Sequence, residues 1–274
     1  MSTSSSWLVR RAGIVRPFRL YCFAYAGGHA GVFAPWQQEL YPHIEVVGVQ
    51  APGRGTRIRE RPMTSWSEIV REAAHAIAND GSECFAFFGH SLGALLAFEV
   101  LRHLVHRGLA APARLFVSGC EAPRHRVRGK SLHTLPDDQL IEEIRRFNGT
   151  PPEVLASAEL MQLVLPMLRA DFKLAHEYMY REEEPLAVPI TIFGGELDSY
   201  CNRARTEQWA QETSGGASMH WINGDHFFIR THQQQLMSHL RHQLSELIFA
   251  LPSPVATSCS QPVLEIGSTP VQGH

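Results

Sequence analysis

The chain has 274 residues, a formal charge of −2, and 44% hydrophobic and 19% charged residues. This length and balance suit one large α/β domain with a substantial core, and the near-neutral charge argues against a general nucleic-acid binder, which carries a strong basic excess. Five widely spaced cysteines without a C-x-x-C pair read as free thiols, and no segment has the continuous apolar length of a signal peptide or membrane span, so a soluble cytoplasmic protein is expected.

In chain order, the first strand pattern covers 19–25 and runs into a glycine-rich loop, Tyr25-Ala26-Gly27-Gly28-His29-Ala30-Gly31. A second apolar run at 44–50 precedes the arginines Arg54, Arg57, Arg59 and Arg61. Helical spacing then spans 65–79, and a fully apolar run, Cys84-Phe85-Ala86-Phe87-Phe88, stops at Gly89. Beyond Gly93 the apolar residues Leu95, Leu96, Phe98, Leu101, Leu104 and Val105 recur at helical intervals. Gly89-His90-Ser91-Leu92-Gly93 therefore joins strand to helix, the setting of a G-x-S-x-G elbow that lifts a serine oxygen above a sheet edge.

A strand at 114–118 follows, with Glu121 and the arginines Arg124, Arg126 and Arg128 just beyond it. The stretch 135–184 breaks the alternation: it has helical pieces at 137–147 and 160–180, a helix start at Thr150-Pro151-Pro152-Glu153, and no strand pattern. A helical insertion there, about 130–185, would lie over the edge carrying Ser91 as a lid. Strands at 189–193 and 218–222 complete the series. Strands alternating with helices predict a mostly parallel sheet covered on both faces, with sites gathered at the strands' C-terminal edge. A single domain over 1–250 and a flexible, Pro/Ser/Thr-rich tail over 251–274 are expected.

A serine hydroxyl needs a base within hydrogen-bond reach and a third group to orient that base. Among fifteen histidines, His226 follows the last strand through Asn223-Gly224-Asp225, at the edge where Ser91 is expected. Asp198 follows the preceding strand through Gly194-Gly195-Glu196-Leu197. The order Ser91, Asp198, His226 is that of an α/β-hydrolase triad. Glu121 is the rival acid, and Asp198 has a second reading as a helix N-cap; Asp225, adjacent to His226, is expected to point away. The amide of Leu92, after the nucleophile, and that of Ala26, in the loop after the first strand, are the candidate oxyanion donors. Reading the glycine-rich loop as a phosphate cradle is disfavoured because no Gly-Lys-Ser/Thr follows. No H-E-x-x-H or paired Cys/His spacing suggests a metal, so neither metal nor cofactor is expected.

FAYAGGHAGVFAPW, VQAPGRGTR, FFGHSLGALLAFEV, NGTPPEVL, LPMLRADFKLAHEY, FGGELD and GDHFF together resemble the stand-alone type II thioesterases of polyketide and non-ribosomal peptide synthesis. That branch of the α/β-hydrolases is related to the medium-chain acyl thioesterase of animal fatty acid synthesis. The likeness runs from about Trp7 to Ile248. It implies Ser91, Asp198 and His226 as the triad, a lid over 135–184, and hydrolysis of acyl groups carried on the phosphopantetheine arm of acyl or peptidyl carrier proteins. Two positions depart from the family pattern: Ala24 stands where proline is common, and Asp225 where a second glycine is frequent.

On this reading Met161, Leu165, Met167, Leu168 and Phe172, at helical spacing, are core or acyl-channel residues. The group 54–61 or 124–128 is a candidate docking site for an acidic carrier. No carrier segment precedes the hydrolase region, so a separate, monomeric enzyme is expected. An oxygen-ester carboxylesterase or lipase, an acyl transferase or cyclase, and a non-catalytic synthase partner remain the alternatives.

Overall fold

The computed structural model describes residues 6–14, 16–40 and 42–249; the predicted tail, 251–274, lies outside the described residues. Seven strands, β1 (Leu8–Arg10), β2 (Phe18–Phe23), β3 (Ile44–Val49), β4 (Phe85–His90), β5 (Leu115–Ser118), β6 (Ile190–Gly195) and β7 (Ala217–Ile222), form one sheet in the order β1-β3-β2-β4-β5-β6-β7. All neighbours are parallel except β1, which pairs antiparallel with β3. Three residues were too few to give β1 a sequence signal; pairing with β3 and its place at the sheet edge make it a strand.

The helices, in chain order, are α1 (Trp36–Glu39), α2 (Trp66–Ala78), α3 (Leu92–His106), α4 (Asp137–Phe147), α5 (Pro152–Ala156), α6 (Ala158–Glu177), α7 (Arg203–Glu207), α8 (Phe228–Thr231) and α9 (Gln233–Phe249). Local chemistry sets several of their starts. Ser65 accepts from the amide of Glu68 at the head of α2, and Ser157 from that of Leu160 at the head of α6, each satisfying one of the orphan amides that a helix start leaves. Asn148, in the left-handed region at φ 58°, ends α4.

Side chains alternate across the sheet, so each strand feeds two cores. Tyr21, Phe23, Phe85 and Phe87 face α2 and α3, whereas Phe18, Leu20, Cys22, Ala86 and Phe88 face α1, α8 and α9. Burial on both faces is why β4 reads as an unbroken apolar run. Inserted between β5 and β6, α4 to α6 pack on each other through a third core of Leu132, Leu140, Ile144, Met161, Leu165, Met167 and Leu168.

The chain runs from β2 out to β3, then crosses back over β2 to β4. The strand order therefore reverses between β2 and β4, the place where open α/β sheets leave a crevice at their carboxyl ends. The glycine-rich loop leaves β2 and the serine elbow leaves β4, so both open into that crevice. Among the described residues, no helix is long and apolar enough to cross a membrane.

Candidate active site

Ser91 sits at φ 54°, ψ −119°, and with Asn148 is one of two non-glycine residues at positive φ among those described. That conformation is costly for an L-residue, and the packing on either side holds it. A Cβ on Gly89 would lie 2.3 Å from the carbonyl oxygen of Gly93, and one on Gly93 would lie 2.2 Å from that of Phe23. Helix α3 thus approaches β4 at Gly89 and the end of β2 at Gly93 so closely that only glycine fits at both positions. The Ser91 amide donates to the Ser118 carbonyl at 2.8 Å, tying the elbow to β5.

Asp198 and His226 reach the same place because β6 and β7 continue pairing past their ends. Gly195 is opposite Ile222 in the register, the Glu196 amide donates to the Ile222 carbonyl, and the Leu197 amide donates to that of Gly224. The two loops that follow therefore leave the sheet side by side. His226 Nδ1 lies 2.7 Å from Asp198 Oδ2, and His226 Nε2 lies 3.1 Å from Ser91 Oγ. Asp198 Oδ1 accepts from the amides of Tyr200 and Cys201 at 2.8 and 3.2 Å. Burial opposes charge on Asp198, but the hydrogen bond and charge of His226 and the Tyr200 amide outweigh it, and its pKa falls below the ordinary carboxylate value.

The rival carboxylate is committed elsewhere. Glu121 accepts from the Asn202 amide and from Arg205, at 2.8 Å each, so it braces the start of α7. Asp225 accepts from the Phe227 amide at 2.9 Å, an Asx turn that orders the loop carrying His226. Ligand-capable atoms of Asp198, Cys201 and His226 lie within 4.8 Å of one another. Burial pushes the Cys201 thiol well up, which disfavours the thiolate a metal would need, and the other two groups are engaged with each other.

A cavity of about 410 Å³ opens above Ser91 and His226. Ala26, Leu92, Leu95, Leu132, Phe147 and Phe172 are among its walls. The amides of Ala26 and Leu92 have no hydrogen-bond partner among the described residues, as expected for donors kept free for a ligand. Of the proposed acyl-channel residues only Phe172 lines this cavity. Met161, Leu165, Met167 and Leu168 are buried in the core of the insertion, because the α6 stripe that carries them is needed to hold α4 and α5.

The arginines divide in the same way. Arg54 is buried in an ion pair with Asp171, Arg57 bonds to Glu60, and Arg124 to Glu182 and Tyr180. Arg126 and Lys130 line the cavity, while Arg59, Arg61 and Arg128 are exposed.

His90 is one residue the sequence reading passed over, although it occupies the second position of the elbow motif. Its Nε2–H donates to the backbone carbonyl of His226 at 2.9 Å, and its Nδ1, 2.9 Å from Ser118 Oγ, accepts from that hydroxyl. Complete burial, followed by the charge of His226, pushes its pKa down to about 3. Native His90 is therefore neutral where an unfolded histidine, near 6.5, gains a proton. Its contribution to stability is full above pH 6.5 and is lost as pH falls toward 3. The loss has a limiting slope of about 1.4 kcal/mol per pH unit. Urea unfolding across this range is expected to show a shallower acid limb for His90→Gln than for the wild type, and equal slopes would refute the assignment.

Comparison with known proteins gives the chain its relatives. Residues 18–244 match the model of the thioesterase domain family. The gramicidin S biosynthesis protein GrsT of Aneurinibacillus migulanus is 38% identical over 245 residues, spanning 89% of this chain and 96% of that one. A Brevibacillus parabrevis protein named linear gramicidin dehydrogenase LgrE is 41% identical over 84% of this chain and 88% of its own. The thioesterase PikA5 of Streptomyces venezuelae is 35% identical, covering 82% and 80%. Among solved structures, the type II thioesterase BorB from the borrelidin cluster superposes with a TM-score of 0.80 at 29% identity, over 89% of this chain and all of that one. The RedJ thioesterase of Streptomyces coelicolor gives 0.77 at 37% identity, over 83% and 86%. The redox name of LgrE stands apart from the family match and from the thioesterase names of PikA5, BorB and RedJ; a serine, histidine and carboxylate in hydrogen-bonded series is the equipment of acyl transfer.

Proposed function

The chain belongs to the thioesterase domain family, and on that premise we propose that it hydrolyses acyl thioesters held on the phosphopantetheine arm of carrier proteins in a polyketide or non-ribosomal peptide synthase. In this role it clears stalled or aberrant groups. The observation that carries the reading is the series Ser91 Oγ, His226 Nε2 and Nδ1, Asp198 Oδ2, with spacings of 3.1 and 2.7 Å, at the floor of a cavity with two unbonded amides. Four described cysteines are free, which supports a reducing, cytoplasmic setting.

In the mechanism His226 Nε2 takes the Ser91 proton as Oγ attacks the thioester carbonyl. The amides of Leu92 and Ala26 hold the oxyanion. The C–S bond breaks, and His226 returns the proton to the departing sulfur. A thiol of pKa about 8.5 leaves with less help than an alkoxide needs, so the chemistry itself makes modest demands. Water, deprotonated by His226, then attacks the acyl-serine; the free acid leaves and Ser91 recovers its proton. Asp198 keeps Nδ1 protonated throughout, which leaves Nε2 free to accept.

The apolar walls from Leu95, Leu132, Phe147 and Phe172 suit an acyl chain, and the insertion α4 to α6 serves as its lid. The exposed Arg59, Arg61 and Arg128 favour approach of an acidic carrier, whereas Lys130 in the cavity wall is paired with Glu143.

Acyl-loaded carrier proteins and matched oxygen esters, followed by mass spectrometry, test the reading. The expected result is free acid as product and a higher kcat/KM for the carrier thioester. A higher value for the oxygen ester, or an acyl-transfer product in place of the acid, would overturn it.

A further inference from the structure

Asp171 stands on α6, amid an otherwise apolar stripe, and is 1% exposed. A carboxylate so buried must be paired, and its partners come from two separate loops. Arg54, beyond β3 and itself 7% exposed, donates Nη1 to Oδ2 at 2.9 Å and Nη2 to Oδ1 at 2.8 Å. The amide of Gly27 donates to Oδ2 at 2.8 Å, and Arg54 Nη1 also reaches the Gly28 carbonyl at 3.3 Å. Gly27 lies at φ +78°, and a Cβ there would meet Leu168 of α6 at 2.6 Å, so helix and loop also touch sterically. Gly27 and Gly28 directly follow Ala26, one of the two unbonded amides over the cavity.

We infer that the Arg54–Asp171 pair is a latch between the α6 helix and the glycine-rich loop: with α6 docked, Asp171 fixes Gly27 and thereby aims the Ala26 amide at the developing oxyanion. Asp171 and Arg54 are positioning residues, and docking of the lid helix and completion of the oxyanion site become one event. The inference rests on the acyl-transfer reading of Ser91 and goes beyond it, because it ties the insertion to rate and not only to substrate enclosure.

Two uncharged replacements separate the latch from plain packing. Arg54→Met/Asp171→Leu removes the ion pair and the acceptor for Gly27, and apolar substitution of a whole buried pair is commonly neutral or stabilising. Arg54→Gln/Asp171→Asn also lacks charge but retains an oxygen that can accept from Gly27. The expected result is a kcat loss of about 10- to 100-fold for the apolar pair, less than the roughly 10²–10³ that complete loss of an oxyanion donor costs because the Ala26 amide is misaimed and not removed, with KM and Tm near wild type. The amide pair is expected to recover most of that rate. Phosphonylation of Ser91 by an activated phosphonate ester, which also forms an oxyanion at this site, should slow in parallel.

Equal kcat and phosphonylation rates in both pairs and the wild type would overturn the latch. If the apolar pair does not fold, Arg54→Gln/Asp171→Ser, too short to reach Gly27, takes its place against the amide pair; equal rates again refute the inference. A wild-type protein phosphonylated at Ser91 but inert toward carrier thioesters would instead sink the proposed substrate and leave the latch measurable.

Discussion

Ser91→Ala is expected to reduce thioester hydrolysis by about 10⁶-fold in kcat, the scale seen when a serine nucleophile is removed from such a unit, while carrier binding changes little. The folded state should tolerate the change. The strain at φ 54° is imposed by the backbone and is the same for any residue with a Cβ, and the elbow is held by the Ser91 amide on Ser118, which alanine keeps. What is lost is the oxygen 3.1 Å from His226 Nε2. Single-turnover assays with an acyl-loaded carrier should show no acyl-enzyme, and phosphonate labelling should disappear. Turnover at the wild-type rate would remove Ser91 from the mechanism and favour a binding partner over an enzyme.

Asp198→Asn is expected to cost about 10⁴-fold at neutral pH, on the pattern of triad carboxylates replaced by amides, or roughly 5.5 kcal/mol of transition-state stabilisation. The hydrogen bonds explain why so small a change matters. Oδ1 already accepts from the amides of Tyr200 and Cys201, so an asparagine must keep its oxygen there and turn its NH₂ toward His226 Nδ1. That nitrogen must then accept, which places the ring proton on Nε2, facing Ser91, and the histidine can no longer act as a base. Glu121→Gln, by contrast, should leave kcat within a few-fold, since Glu121 serves Arg205 and Asn202. Steady-state kinetics of the two variants side by side decide between the carboxylates; a larger loss in Glu121→Gln would reverse the assignment.

Much of this fold was legible because its signals are local. The apolar run over β4, the glycines around Ser91 and the change to helical spacing after Gly93 each reflect a constraint met within a few residues: burial on both sheet faces, close backbone approach, and a one-sided helix. The alternation of strands with helices further implied a common carboxyl edge, and with it the chain order of Ser91, Asp198 and His226. Motif likeness carried the family.

Pairings between distant segments were not legible. Chain order already favoured Asp198 over Glu121, but not the contacts behind that preference: the loops that continue the β6–β7 ladder and Arg205 claiming the other carboxylate. Arg54 read as one of a basic group at 54–61 offered to an acidic carrier, since nothing near it in the chain signals that Asp171, 117 residues away, takes its charge. His90 looked like a variable position in a motif until the fold set it beneath the His226 carbonyl. The sequence by itself determined six of the strands, the sheet class and the chemistry on offer, because those follow from local sterics and from periodic burial. Only the tertiary structure decided which polar groups meet, because a buried charge or donor is satisfied by whichever partner the packing delivers, however far along the chain that partner lies.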